Sequence, residues 1–198
     1  MKLADLAGLA LSCRESTMGF EAFRTSAMVS SLRWPADVVE QFLYDHADND
    51  AFLRDYENID LSTVRWEVTA VPVEEFMVMP TGASDGDCIE EYAADPGHWV
   101  RVRNRGIHMG VAECWETHGT WKRWPILIDR MLLDPPEHGL QVLEGRTRVG
   151  VMRGRRRQGA LVAERHLAWV GRSSSQNRVM RLPRGSTSTV GAARPGQQ

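Results

Sequence analysis

The segment LQVLEGRTR, at residues 140–148, carries the residue types best suited to chemistry in this chain. The apolar residues before Glu144 alternate as they would in a strand, and Gly145 ends that strand. A helix that begins near Arg146 would direct its unpaired backbone amides beside the Glu144 carboxylate. Helix N-termini carry roughly half a positive charge, which suits a phosphate group. The segment therefore predicts an anion-binding turn next to an acid.

The other side chains of the turn suit the same ligand. Gly145 leaves room for a ligand to approach the backbone, and Thr147 could cap the helix or donate to a phosphate oxygen. Arg146 and Arg148 are charge-assisted donors. A carboxylate beside a phosphate is repulsive unless it binds a divalent metal or removes a proton from a hydroxyl. The other interpretation is a structural turn, in which Glu144 caps the helix or pairs with Arg148.

The elements that must position this turn follow from periodicity and from Gly and Pro signals. Residues 1–33 have a weakly helical pattern, and an amphipathic helix follows Pro35. A half-buried strand begins at Val64, and a later helix ends at Gly119, which is a typical C-cap residue. Further predicted elements are a helix in CIEEYAADPGHW, the strands WPILID and LQVLE, the helix TRVGVMRGRRR and a strand at residues 166–170. If VRVRNRG is extended, its arginines share one side, which would be a solvent face rather than a basic ridge.

Charge is distributed unevenly along the chain, although the net charge is only -2. The first 145 residues carry 12 Lys and Arg against 25 Asp and Glu, whereas the remainder carries 12 Arg against Glu164 alone. Such a basic segment either contacts phosphate or is a solvated arginine-rich surface. The first possibility includes nucleic acid, whose backbone the arginines of residues 146–157 would follow.

Composition excludes several classes of protein. The three cysteines are widely spaced and form no CxxC pair, so neither a disulfide framework nor a zinc site is indicated. No apolar run approaches the ~20 residues of a transmembrane helix. We therefore expect a cytoplasmic protein without a membrane partner. Residues 172–198 are rich in Ser, Arg, Gly, Pro and Gln, a composition that predicts a disordered basic tail.

Four segments together resemble the ParB/sulfiredoxin-like family, a largely bacterial group. They are VPVEEF, the helix ending in ETHG, WPILID and LQVLEGRTRVGVMRG, in that order. Members of that family bind nucleotides at the last of these segments. They include CTP-hydrolysing partition clamps, ATP-using sulfinic acid reductases, free-serine kinases and nucleases.

The resemblance implies an α+β fold with a small mixed sheet flanked by helices. It covers residues 64–171, so that residues 1–63 would be a helical N-terminal extension and residues 172–198 the tail. The reductases carry a cysteine inside the turn, and this chain has none there. The partition clamps carry a glutamate directly after the glycine, where this chain has Arg146. The free-serine kinase motif, close to D-G-H-T-R, is the most similar to EGRTR at residues 144–148.

By that resemblance, the turn would bind ATP, ADP or CTP together with Mg²⁺. Glu144 would be the catalytic or metal-holding acid, and a second acid would follow the first strand, at Glu74 or Glu75, of which we select Glu75. The nucleotide-binding residues would be Gly145, Arg146, Thr147, Arg148 and Gly150. The implied activity is phosphotransfer or nucleotide hydrolysis, with a small hydroxyl-bearing substrate as acceptor. The alternatives are a nucleic-acid-binding or nuclease module and a regulatory module without catalysis.

Overall fold

The computed structural model describes residues 1–174. The predicted basic tail lies almost wholly outside these described residues. Its first two residues, Arg172 and Ser173, belong to the last strand.

A four-stranded mixed sheet forms the centre of the protein. Its strands are β1 (Val64–Pro72), β2 (Ile126–Asp129), β3 (Leu140–Glu144) and β4 (Arg165–Ser173). They lie side by side in the order β1, β4, β2, β3. β4 pairs antiparallel with β1 and parallel with β2, and β2 pairs antiparallel with β3. β3, which leads into the EGRTR turn, is therefore an edge strand.

Helices lie on both faces of this sheet. The N-terminal ones are α1 (Ala7–Glu15), α2 (Gly19–Thr25), α3 (Ala27–Ser31), α4 (Ala36–Val38), which continues as a π-helical turn (Val39–Tyr44), and α5 (Asp50–Tyr56). The others are α6 (Val73–Val78), α7 (Cys88–Ala94), α8 (Pro96–Arg103), α9 (Val111–His118) and α10 (Arg146–Arg157).

Alternation along the strands builds two apolar cores. Ile126, Ile128 and Leu143 are fully buried against the helices of residues 1–63. Leu127 and Val142 point to the opposite face, where they pack with α6 to α10. Full burial of such a side chain stabilises by about 1.5–3 kcal/mol, so both faces hold the sheet in place. The N-terminal residues are thus one layer of an α/β/α arrangement.

The structure confirms a mixed α and β fold and most of the predicted elements. Gly119 adopts φ +61° and ends α9, as its position predicted. The condition on which a basic ridge in VRVRNRG depended is not met, because residues 100–103 form the last turn of α8. Pro96 occupies the first turn of that helix, and the Asp95 side chain accepts a hydrogen bond from the His98 amide at 2.9 Å. This N-cap favours helix strongly enough to organise the arginines that follow.

Across residues 1–174, no helix is both long enough and apolar enough to cross a membrane.

Candidate functional site

The EGRTR turn opens on a cavity of about 320 Å³, which we call the turn cavity. Its volume lies at the lower end of the range of about 300–1,000 Å³ that small-molecule sites occupy. Four segments enclose it: the π-helical turn, α8, α9 and the start of α10. Its lining includes Glu40, Gln41, Asp45, Trp99, Arg103, His108, Lys122, Arg123, Glu144, Gly145, Thr147 and Arg148.

Gly145 makes the sharp turn between β3 and α10. Its backbone is left-handed, with φ +103° and ψ 20°. A Cβ atom at this position would lie 2.5 Å from the Pro125 Cβ, so only glycine fits. No side chain caps α10, and both Gly145 and Thr147 line the turn cavity. The first turn of α10 therefore lies beside this space with no side chain capping its amides.

Arg148 ties the turn to its surroundings. Its guanidinium donates to Glu144 Oε2 and to Gln41 Oε1, each at 2.7 Å. It also donates to the carbonyl oxygens of Arg123 and Trp124, each at 3.1 Å. Arg148 thus donates to four acceptors within the protein. Its main role is to hold the loop of Trp124 and the π-helical turn against α10.

Arg146 and Gly150 lie apart from the cavity. Arg146 donates to Asp85 Oδ2 at 2.9 Å and to the Leu143 carbonyl at 3.3 Å, and it does not line the cavity. Gly150 is buried where α10 crosses α7, and a Cβ there would lie 2.4 Å from the Tyr92 Cβ. The structure therefore assigns both residues to packing, rather than to the ligand contacts that the resemblance implied.

The second acid that the resemblance implied is not beside Glu144. Glu75 is exposed on α6 and does not line the turn cavity. Its neighbour Glu74 lies 3.8 Å from Arg156, near the C-terminal end of α10. Arg156 is ten residues along the helix from Arg146, which corresponds to about 15 Å of rise. The acids of α6 are thus at the other end of α10 from the turn.

Two acids that the sequence did not indicate lie in the cavity instead. Glu40 belongs to the π-helical turn, and Asp45 follows it directly. π-helical turns are rare and frequently occur at functional sites. The buried Gln41, in the same turn, connects it to Arg148. In the sequence these residues looked like the polar side of an ordinary packing helix, so no local signal identified them.

The carboxyl of Asp45 has a raised pKa, although the residue as a whole is exposed. Burial raises its pKa, the nearby charges of Glu40 and Glu144 raise it further, and Arg123 and Arg14 only partly oppose them, so that it reaches about 6. A carboxylate with a pKa close to neutrality can accept a proton from a substrate and release it again. Strongly shifted carboxyl groups in a cleft are typical of functional sites.

Glu144 behaves differently. Burial alone would raise its pKa, but the positive charges of Arg148 and Arg146 and the nearby His46 outweigh that effect and lower it. Glu144 is therefore ionised throughout the neutral range and is already paired with Arg148. It suits holding a cation or orienting a group better than it suits accepting a proton.

Basic side chains face these acids across the cavity. Arg103, on α8, lies with its Nη2 3.5 Å from the Thr147 hydroxyl. Burial and then the charges of Arg123, Arg103, Arg148 and Lys122 lower the pKa of His108, so this imidazole is neutral. Such accumulated positive charge favours an anion. The half-buried indole of Trp99 completes this side.

The remaining arginines of α10 are mostly engaged inside the protein. Arg153 donates to the carbonyl oxygens of Phe76 and Met79 and to Glu90. Arg155 contacts Glu116 and the Trp115 carbonyl. Arg156 and Arg157 are each about half exposed, so of these four arginines only these two are left on the surface to contact a nucleic-acid backbone.

Among residues 1–174, no group of three or more His, Cys, Asp or Glu side chains is arranged to hold a metal ion. Comparisons of the chain with protein-family models, with curated proteins and with solved structures found no match.

Proposed function

We propose that the turn cavity binds a nucleotide and that the protein catalyses Mg²⁺-dependent phosphotransfer to a small hydroxyl-bearing substrate, or hydrolysis with water as acceptor. One observation carries the proposal. The uncapped N-terminus of α10 opens on a cavity in which Glu40, Asp45 and Glu144 face Arg103 and Lys122. Phosphoryl transfer requires groups that neutralise the phosphate and a group that accepts the proton of the attacking hydroxyl.

Several residues of the turn cavity have separate roles in the proposed reaction. The first amides of α10, the Thr147 hydroxyl and Arg103 bind the phosphate groups. Trp99 offers an indole surface for the nucleotide base. The oxygen of the acceptor hydroxyl attacks the terminal phosphorus while Asp45 accepts the hydroxyl proton. The nucleoside diphosphate leaves from the opposite side of the phosphorus. Arg148 keeps the Glu144 carboxylate in position.

The acids of the cavity fit a bound Mg²⁺. Mg²⁺ is commonly held by one or two carboxylates together with substrate phosphates, so a dedicated protein cage is not required. Glu144 is paired with Arg148 and Glu40 with Arg123, so a bound Mg²⁺ would share these carboxylates with the two arginines. Glu144 and Glu40 would hold the ion, which would neutralise charge on the transferred phosphoryl group. The side of the cavity with Arg103 has the opposite charge and would not hold it.

The likeness to the ParB/sulfiredoxin-like family is part of this proposal. A mixed sheet with a strand, glycine and helix turn at its edge supports it. Within that family, the free-serine kinase type remains the nearest pattern for the turn. The choice between ATP, ADP and CTP depends on the base side of the cavity, where Trp99 lies.

A thermal-shift panel tests the binding step. Wild-type protein is heated with ATP, ADP, CTP or GTP, with and without Mg²⁺, because a ligand at about 100 times its Kd stabilises by about 2.7 kcal/mol. Thr147→Val and Arg103→Gln should each lose most of the shift. Arg101→Gln, on the same helix but outside the cavity lining, is the matched control and should retain it.

The outcomes separate the alternatives. The absence of a shift with every nucleotide would overturn the proposal, as would a shift that survives in the double variant of Thr147 and Arg103. With the nucleotide that binds, release of diphosphate or inorganic phosphate is then measured. Asp45→Asn should abolish turnover and retain binding. Binding without any turnover in the wild type would identify a regulatory module instead.

A further inference from the structure

A second region of the protein has the features of a ligand site. Two adjoining cavities, of about 540 and 310 Å³, lie in the N-terminal layer and share Arg33 and Trp34. We call them together the N-terminal cavity. Its lining has no residue in common with that of the turn cavity. This site is therefore independent of the function proposed above.

Buried hydrogen-bond donors without a partner are concentrated at this cavity. They are the indole N–H groups of Trp34 and Trp66 and the Nε–H of Arg24. Within residues 1–174 one other buried side-chain nitrogen lacks a partner, on His166. A buried unpaired donor costs about 1–3 kcal/mol, so three at one place call for an acceptor. All three side chains line the N-terminal cavity.

Arg33 is held in a costly conformation at the centre of the cavity. It follows the end of α3 with φ +56°, the left-handed conformation that usually belongs to glycine. For a residue with a Cβ this conformation costs roughly 1–2 kcal/mol. Its guanidinium has no hydrogen bond or ion pair with any residue between 1 and 174. Arg33 is exposed, so its guanidinium is solvated and free to pair with an anion that enters the cavity.

The charge of the cavity identifies the class of ligand. Its lining contains Arg24, Arg33 and Arg65 and no carboxylate, although Arg24 is paired at 2.6 Å with Glu21, just outside the lining. This composition is notable because the first 145 residues are strongly acidic. Trp34 and Trp66 form its aromatic part, with ring centroids 5.3 Å apart in an edge-to-face arrangement. Positive charge beside aromatic surface suits an anion with a flat body.

We propose that the N-terminal cavity binds a small aromatic anion, with Arg33 pairing its charge and the Trp34 and Trp66 indoles contacting its ring and its acceptor atoms. The anionic group is a carboxylate or a phosphate, since the guanidinium fork matches both. Both tryptophans border the space, and their buried indole N–H groups must turn toward it to meet the ligand.

Nitrogen-15 NMR of the full chain tests this assignment through its seven tryptophan indole signals. Trp34→Phe and Trp66→Phe identify the two relevant signals. Titration with 2-naphthoate should shift both in a saturable manner and leave those of Trp115 and Trp121, in the turn cavity, unchanged. The uncharged 2-naphthamide is the matched ligand, and phenyl phosphate compares a phosphate with the carboxylate.

Two substitutions at one position separate binding from folding. Arg33→Gln should weaken 2-naphthoate binding at least about tenfold. Arg33→Gly removes the cation and relieves the left-handed strain, so it should weaken binding equally in a fully folded protein. Arg101→Gln should bind as the wild type does. Equal binding of 2-naphthamide, no saturable shift up to about 10 mM ligand, or shifts that persist in both Arg33 variants would overturn the proposal.

Discussion

The two ends of α10 differ in how completely their polar groups are satisfied within the protein. In the second half, Gly154 lets the helix approach α7 and α8, and each of the three guanidinium nitrogens of Arg153 donates a hydrogen bond within the protein. In the first turn, no side chain caps the helix, and the cavity it faces contains Asp45, a carboxylate with a raised pKa. The second half of α10 stabilises the fold. The first turn instead retains uncapped amides and a nearby carboxylate with a raised pKa, and a ligand could relieve both.

The difference shows that arginine content alone does not indicate a phosphate site. Arg148 and Arg153 are both largely enclosed, and each satisfies carbonyl or carboxylate acceptors of distant segments. The side chain best placed to meet an anion at the turn is Arg103, which belongs to another helix. Substitutions in the two halves should therefore separate stability from ligand binding.

Arg153→Ala should have the largest effect. It removes three charge-assisted hydrogen bonds and leaves the carbonyl groups of Phe76 and Met79 without these donors in an apolar environment. The free energy of unfolding should therefore fall by about 4 kcal/mol. Urea denaturation measures the loss. Arg156→Ala, where about half of the side chain is exposed, should change it by less than about 0.5 kcal/mol. Equal losses of stability in the two variants would contradict the stabilising role given to the enclosed Arg153.

Gly154→Ala should have the next largest effect. The new Cβ would lie 2.3 Å from the Ala93 carbonyl oxygen and 2.9 Å from the Pro96 Cγ, so α10 must move away from its neighbours. Overpacking of this kind costs about 2–3 kcal/mol. Gly8→Ala is the control, because nothing lies within 4 Å of its Cβ and it should stabilise α1 by up to about 1 kcal/mol. If Gly154→Ala left the free energy of unfolding unchanged, α10 would be loosely packed against α7 and α8.

Asp45→Asn should stabilise the protein at pH 7. The folded-state pKa of Asp45 is raised from 3.8 to about 6. Its contribution to stability is therefore fully present below about pH 3.8 and is lost as pH rises through 6. Because the side chain is partly exposed, we expect a gain of only about 1 kcal/mol in the variant at pH 7. At pH 4 the wild type and the variant should unfold at similar urea concentrations.

The pH dependence of Asp45→Asn is the decisive readout. A gain of the same size at pH 4 and pH 7 would mean that ionisation of Asp45 is not its origin. The turn cavity would then lack the proton-accepting group on which the proposed chemistry depends.

Arg103→Gln should have the smallest effect on stability. The side chain is exposed and makes one long contact with Thr147, at 3.5 Å, so the free energy of unfolding should change by less than about 0.5 kcal/mol. Its effect should instead appear as a reduced thermal shift with nucleotide. A loss of stability comparable to that of Arg153→Ala would place Arg103 with the structural arginines and remove the distinction between the two halves.

The sequence by itself determined the local elements around the turn. β3, Gly145 and α10 lie where the alternation, the glycine and the following helical pattern predicted, and Gly119 ends α9. The strand in WPILID is also as predicted. These features depend on backbone preferences and on residues within a few positions of each other, which a sequence displays directly.

Only the tertiary structure decided the partners of these residues. Arg148 meets Gln41, 107 positions away, and Asp45 joins Glu144 because the N-terminal layer covers one face of the sheet. The acids after β1, which the resemblance implied, lie instead near the far end of α10. The π-helical turn that brings Glu40 to the cavity has no sequence signature. Charge pairing and burial depend on which distant segments meet, and local pattern does not encode that meeting.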